Sequence, residues 1–266
     1  MCPPALRFAT FLAPNMLPVY SFLVEQIARR LGVPATLCVG GCYEELSDGV
    51  DAAFICGLAY IELVRFGRAD LDPIAAPVLR GERFADRPVY YSDVIVRCDS
   101  PFHRFGDLRG RSWSFNELYS HSGYGVTLYR LLQLGETRGF FGRVLEAGWH
   151  ERSIRLVATG EVDASAVDCQ VLAVMLREQP ELAAQLRIID SFGPSTIQPL
   201  AVSRRLPRRL RMEILAAVLE LNDDGEARRC FAHGFIERFV PVSDRSYDDL
   251  RAMRAACEAS GFLTLR

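Results

Sequence analysis

Arg111-Ser112-Trp113-Ser114-Phe115, followed by Ser120-His121-Ser122-Gly123, is the stretch from which the fold is read. The first five residues alternate polar and apolar, as a half-buried strand does, and Gly123 to Leu134 carries apolar residues at helical spacing. A serine-rich turn therefore joins a strand to a helix. The first amides of a helix have no intrahelical acceptor and the positive end of its dipole points outward, so such a turn can cradle a phosphate, phosphonate, sulfate or carboxylate without a lysine. Further on, His150 precedes an amphipathic stretch, Glu151 to Thr159, and stands thirteen residues before Asp163.

Outward from this stretch the same alternation recurs. Leu6 to Leu12 reads as a strand, Tyr20 to Leu31 as a helix stopped by Gly32 and Pro34, Ala35 to Val39 as a strand, and Asp51 to Ile55 as a nearly continuous apolar strand of a doubly covered sheet. Leu58 to Phe66 returns as helix, and Ile74 to Leu79 as strand. The polar run Arg80 to Pro88 breaks the pattern, and a crossing to a second lobe is expected there. The second lobe reads Tyr90 to Arg97, Arg111 to Phe115 and Val144 to Ala147 as strands, the latter two each followed by a helix. Ala164 to Val167, a helix Cys169 to Gln179 and a strand Leu186 to Asp190 complete it. Ser191 to Pro199 looks like the return crossing. Beyond it come a strand, Leu200 to Ser203, and helices near Pro207 to Leu221, Asp223 to Gly234 and Tyr247 to Ser260, expected to pack back on the first lobe. The expected division is thus residues 1–88 for the first part of lobe 1, 89–190 for lobe 2 and 191–266 for the return and completion of lobe 1. Two α/β lobes joined by crossings leave a cleft, and ligands of such sheets sit at strand carboxyl ends.

Composition narrows the chemistry. All 31 basic residues of the 266 are arginine, which excludes a lysine Schiff base, pyridoxal-phosphate attachment and a P-loop lysine. A formal net charge of −2 sets up no global field for nucleic acid or an anionic membrane. The arginine cluster Arg204 to Arg211 lacks interleaved aromatics and reads as a solvated helix start. No apolar run approaches the ~20 residues that span a bilayer. The opening, Met1 to Arg7, shows no secretory signal, so the chain as written is expected in the cytoplasm, with the periplasm as the alternative if a segment precedes it. The eight cysteines, Cys2 included, read as mostly free thiols. Cys38 and Cys42 lack the second Cys/His pair that a metal site needs, and no metal or cofactor is expected.

Several ordered motifs carry a resemblance: Gly41-Cys42-Tyr43 ahead of Gly49-Val50-Asp51; Tyr90-Tyr91-Ser92 running to Asp99-Ser100-Pro101; Asp107 to Arg111; Ser120 to Gly123; His150 before Asp163; and Val242-Ser243-Asp244 with Tyr247. In these, over nearly its whole length, the chain resembles the phosphonate/phosphate-binding components of ABC importers. The resemblance implies the α/β type 2 periplasmic-binding-protein fold, two lobes each with a mixed sheet flanked by helices, and a ligand cleft between them. It implies a small tetrahedral oxyanion as ligand, an ABC permease as partner, and no catalysis. Ser120, Ser122 and Gly123 would hold the anion with His150, while Tyr43 and Tyr90 would close over it. His121 replaces a hydroxyl residue of the family's turn, adding either a second imidazole donor or a bulkier wall. Where relatives that take 2-aminoethylphosphonate place two carboxylates, this chain has Gln170 and Gln198. Either the ligand lacks an amine, or the correspondence is one residue off, or Asp168 supplies the charge. Against these stand plainer readings: a helix cap at Ser120, a capping-region residue at His150, core aromatics at Tyr43 and Tyr90. A Ser-His-Asp catalytic set from Ser122, His150 and Asp163 or Asp168 lacks a nucleophile elbow. A cytoplasmic biosynthetic enzyme on the same fold, chorismate-dehydratase-like or thiamine-pyrimidine-synthase-like, is the alternative function.

Overall fold

Short apolar runs that alternate with amphipathic stretches assemble into two mixed sheets, each covered by helices, in a computed structural model that describes residues 5–47 and 49–265. Cys2 lies outside the described residues; the seven described cysteines are free. No helix among the described residues is long and apolar enough to cross a membrane.

The first unit comprises residues 1–89 and 196–248. Its sheet is built from β1 (Leu6–Thr10), β2 (Ala35–Val39), β3 (Ala52–Phe54), β4 (Leu71–Leu79), β10 (Leu200–Ser203) and β11 (Ile236–Pro241), in the order β11-β4-β10-β3-β1-β2. β1, β2 and β3 pair in parallel, whereas β10 and β11 run antiparallel to their neighbours. Helix α1 (Leu17–Leu31) shows why the sequence folds this way. Val19, Tyr20, Leu23, Val24 and Ile27 fall on one buried stripe, Pro18 sits in the first turn where it gives up no needed donor, and Gly32 ends the helix in the left-handed conformation at φ 65°. Helices α2 (Gly57–Arg65), α7 (Arg208–Glu220) and α8 (Gly225–His233) complete the unit.

The second unit comprises residues 90–195 and 249–266. Its strands are β5 (Val89–Arg97), β6 (Ser112–Phe115), β7 (Arg143–Glu146), β8 (Ala164–Asp168) and β9 (Leu186–Thr196), ordered β7-β6-β8-β5-β9. β6 is parallel to both β7 and β8, and β5 is antiparallel to β8. The carboxyl ends of β6, β7 and β8 therefore share one end of the sheet and feed helices α3 (Val126–Gln133), α4 (His150–Thr159) and α5 (Cys169–Glu178); α6 (Pro180–Gln185) leads into β9. One sheet face buries an aromatic cluster of Phe105, Trp113, Phe140, Phe141 and Phe192, with Phe105 and Phe140 stacked at 5.0 Å. The other face packs Ile95 and Val167 against Ile154 and Val157 of α4 and Leu172 of α5.

Three expectations need correction. The last helix, α9 (Asp248–Ala259), and the residues after it do not return to the first unit: Cys257, Phe262 and Leu265 join the aromatic cluster of the second, and Tyr124 Oη donates to Leu263 O at 3.0 Å. That cluster offers an apolar, aromatic surface matching the buried side of α9, so burial decides where the helix goes. The segment Ser191 to Pro199 is not all crossing, because β9 continues to Thr196 through Gly193 and Pro194. An edge position makes the missing proline donor tolerable. β11, absent from the sequence reading, is a full strand registered on β4 from Ile236↔Leu79 to Pro241↔Ala75.

Candidate functional site

The loop after β6 and the loop after β7 lie side by side, since Ala147 N donates to Phe115 O and Gly148 N to Asn116 O, both at 2.7 Å. Ser120 and His150 lie just past these pairings. His121–Gly125 forms a π-helical turn ahead of α3, so the helix read from Gly123 starts as a wider coil. Gly123 fits closely there: a Cβ would run into Asn116 Oδ1 and sit 3.2 Å from the Asn116 backbone nitrogen.

Within this corner, hydroxyls and an imidazole form one chain. Ser120 Oγ accepts from Gly123 N at 3.1 Å and lies 3.3 Å from Ser122 Oγ, which is 2.8 Å from His150 Nε2. The turn and the histidine are thus brought together, at the first residue of α4. Ser120, Ser122 and His150 are all buried. One expectation changes: the amide of Gly123 is not open, because Ser120 caps it, and the N–H groups of Tyr124 and Gly125 reach Ser120 O at 3.2 and 3.0 Å. What the turn offers outward is hydroxyls and its remaining first-turn amides.

Burial pushes His150 down to about 3 and His121 to about 4, so both imidazoles are neutral at physiological pH. His150 Nδ1 is buried and has no hydrogen-bond partner among the described residues. Accordingly no carboxylate orients it as a general base. Asp163 instead holds Ser112, accepting from its N at 2.8 Å and its Oγ at 2.6 Å. Asp168 Oδ1 caps α5, accepting from Gln170 N at 2.8 Å and Val171 N at 3.3 Å. The Ser-His-Asp arrangement is therefore not assembled.

His121 takes a separate place. Its Nε2 is 2.9 Å from Ser195 Oγ, and its ring is tilted 58° to that of Tyr90 with centroids 6.4 Å apart. Gln170 is buried at the start of α5 beside the Asp168 cap. Tyr43 and Gln198 belong to the first unit; Tyr43 stacks on Phe11 at 5.0 Å, and the Phe11 ring leaves room only for glycine at Gly40. Sequence reading missed Ser195 and Asn116. Neither stands in a motif, and both are recognised only through the residue they touch. Cys38 and Cys42 turn to other partners, Phe8 O at 3.3 Å and Glu45 Oε1 at 3.8 Å, and no group of three or more metal-ligating side chains occurs among the described residues.

A family model described as ABC transporter, phosphonate, periplasmic substrate-binding protein matches residues 9–247. The chain belongs to this family. Its members are binding proteins and not enzymes, so the enzyme alternative has no support. Among solved structures, the binding-protein component of an ABC phosphonate transporter from Pseudomonas aeruginosa superposes with a TM-score of 0.85 at 19% identity, covering 97% of this chain and 88% of its own. The Prochlorococcus marinus protein PhnD1, solved with methylphosphonate, gives 0.81 at 16% identity over 96% and 98%. A Xanthomonas citri protein solved with ATP gives 0.69 at 18% identity over 98% and 100%. The fold is the type 2 periplasmic-binding-protein fold of these neighbours, two helix-flanked mixed sheets.

Proposed function

We propose that this chain is the ligand-binding component of an ABC importer, and that it takes a small tetrahedral oxyanion without an amine on Ser120, Ser122 and His150. A phosphonate, a phosphate ester or phosphite fits that description. The observation that carries the reading is the 2.8 Å approach of Ser122 Oγ to His150 Nε2 on adjoining loops at one end of a sheet. In the free protein these groups satisfy one another; an arriving anion takes over the hydroxyl and imidazole hydrogens, each bond gaining strength from the charge it meets. Burial keeps both nearby imidazoles neutral in the free protein, so an arriving anion first meets oriented hydroxyl and imidazole dipoles.

The amine-free ligand rests on Gln170 and Gln198, whose amides cannot neutralise an ammonium, and on Asp168, whose carboxylate already serves two backbone amides. Methylphosphonate, the ligand of the Prochlorococcus neighbour, is such an anion. Tyr90 is buried beside His121 and would wall the anion turn from β5.

A thermal-shift series with methylphosphonate, phosphate, phosphite, sulfate and 2-aminoethylphosphonate tests the reading. A ligand at 100 times its dissociation constant adds about 2.7 kcal/mol. The amine-free organophosphorus anions are expected to stabilise the protein more than 2-aminoethylphosphonate does. Ser122→Ala and His150→Ala should each weaken binding by about 1.5–3 kcal/mol; unchanged affinity in both removes this site. An importer component of this family works in the periplasm, so fractionation of cells expressing the natural gene should place the chain there, and co-purification should recover a permease.

A further inference from the structure

The anion turn has a second attachment, through the residue between its two serines. His121 is 2% exposed, and its Nε2 is held 2.9 Å from Ser195 Oγ, itself 3% exposed, near the end of β9. Its ring lies against Tyr90 near the start of β5, the strand next to β9 in the sheet. Gly193 packs there too, where a Cβ would sit 3.1 Å from Tyr90 O. The chain passes from the first unit to the second between Val89 and Tyr90, and back between Ser195 and Thr196. His121 thus touches the residues at which the chain first enters the second unit and first leaves it, while Ser120 and Ser122 on either side carry the hydroxyls of the proposed anion site.

We infer that His121 is a positioning residue: through Ser195 and Tyr90 it fixes the anion turn to the paired ends of β5 and β9, so that loading the turn with an anion tightens those strand ends. This role rests on the binding site proposed above. The chemistry suits a strut. A buried neutral imidazole presents one donor and one acceptor nitrogen, so its bond to a hydroxyl is satisfied without desolvating a charge. Breaking that bond on one side leaves a buried polar group unpaired on the other, which is why the two ends should act as a pair. The same contact commits Nε2 of His121 to Ser195.

The test uses the whole chain in four forms: parent, His121→Ala, Ser195→Ala and His121→Gln, whose amide can reach the position of Nε2. Hydrogen exchange without ligand comes first. The strut predicts that His121→Ala raises exchange at residues 193–196, that Ser195→Ala raises it at residues 121–125, and that His121→Gln restores the parent pattern. Faster exchange confined to the mutated residue's own segment overturns the strut, whatever the ligand proves to be. Titration with methylphosphonate and with phosphate follows. His121→Ala and Ser195→Ala should each bind about tenfold more weakly, the double variant no more weakly than either, and His121→Gln close to the parent. In the parent, added methylphosphonate should slow exchange at residues 193–196, and in His121→Ala that slowing should vanish. If the parent binds neither anion, the proposed function falls and the exchange series alone judges the strut; if the parent binds and His121→Ala binds equally well, the positioning role is refuted.

Discussion

The helix starts that follow β6 and β8 stand at the same end of one sheet, yet they are capped in opposite ways. At α5 a carboxylate, Asp168, accepts two backbone amides, so the positive end of that helix already has its anion. At the turn before α3 a neutral hydroxyl, Ser120, accepts one amide, and a second hydroxyl and an imidazole follow it. Both ends direct backbone dipoles outward; under the proposed function, the cap decides which of them can receive an anion. A serine satisfies hydrogen bonding and leaves the charge unbalanced, whereas an aspartate satisfies both.

Exchanging the caps is the most severe way to break this comparison. Ser120→Asp keeps a competent cap, so folding should survive, but a carboxylate about 4 Å from a bound anion repels it by about 4 kcal/mol at an effective dielectric of 20. Calorimetry should show methylphosphonate binding weakened by roughly a thousandfold; retained binding would place the anion elsewhere. Acid separates the two starts next. His121 and His150, held at about 4 and about 3 by burial, bind fewer protons folded than unfolded between those values and the unperturbed value near 6.5. Stability contributed by the neutral rings is therefore complete above pH ~6.5 and lost as pH falls, by up to about 3 kcal/mol per pH unit for two protons. Denaturant titrations between pH 7 and 4.5 should show this slope, and His150→Gln should flatten it; an equal slope in that variant would mean that other groups carry the protons.

The close approach at Gly123 gives the third prediction. Gly123→Ala drives a methyl into Asn116 and should cost about 2 kcal/mol, measured by denaturant unfolding, with Asn116→Ala in the same chain recovering most of it. The smallest effect belongs to the other helix start: Asp168→Ala should cost about 1 kcal/mol as a lost cap and leave the rank order of anions unchanged.

Much of this architecture is legible in the residues. Ala35–Val39 and Leu200–Ser203 are strands at the bounds read from apolar runs between turn signals, and His150 opens its helix as its position before Glu151 to Thr159 suggests. Where the reading departs, non-local partners decide. β4 begins at Leu71 and runs through Pro73 and Pro77, against local preference, because β10 and β11 border it with irregular register on both sides. β11 is six residues with two charges, and only its pairing with β4 identifies it. The same holds in the site. Ser120 and Ser122 announce themselves by their spacing before a helix, while Ser195 is distant in sequence from His121 and gives no local sign of the contact. The capping of Gly123, by contrast, is the plainer reading that a serine at a helix start offers, and Ser120 turns its hydroxyl inward to make it.

The placement of α9 has a consequence for how the molecule is made. Phe105, Trp113 and Phe141 leave the ribosome well before Cys257, Phe262 and Leu265, with which they share a core. Until those late residues emerge, part of this aromatic surface lacks its cover, and the second unit cannot complete its core. Exposed aromatic surface on an incomplete unit is a place where aggregation starts, and a holdase that covers it would reduce that hazard.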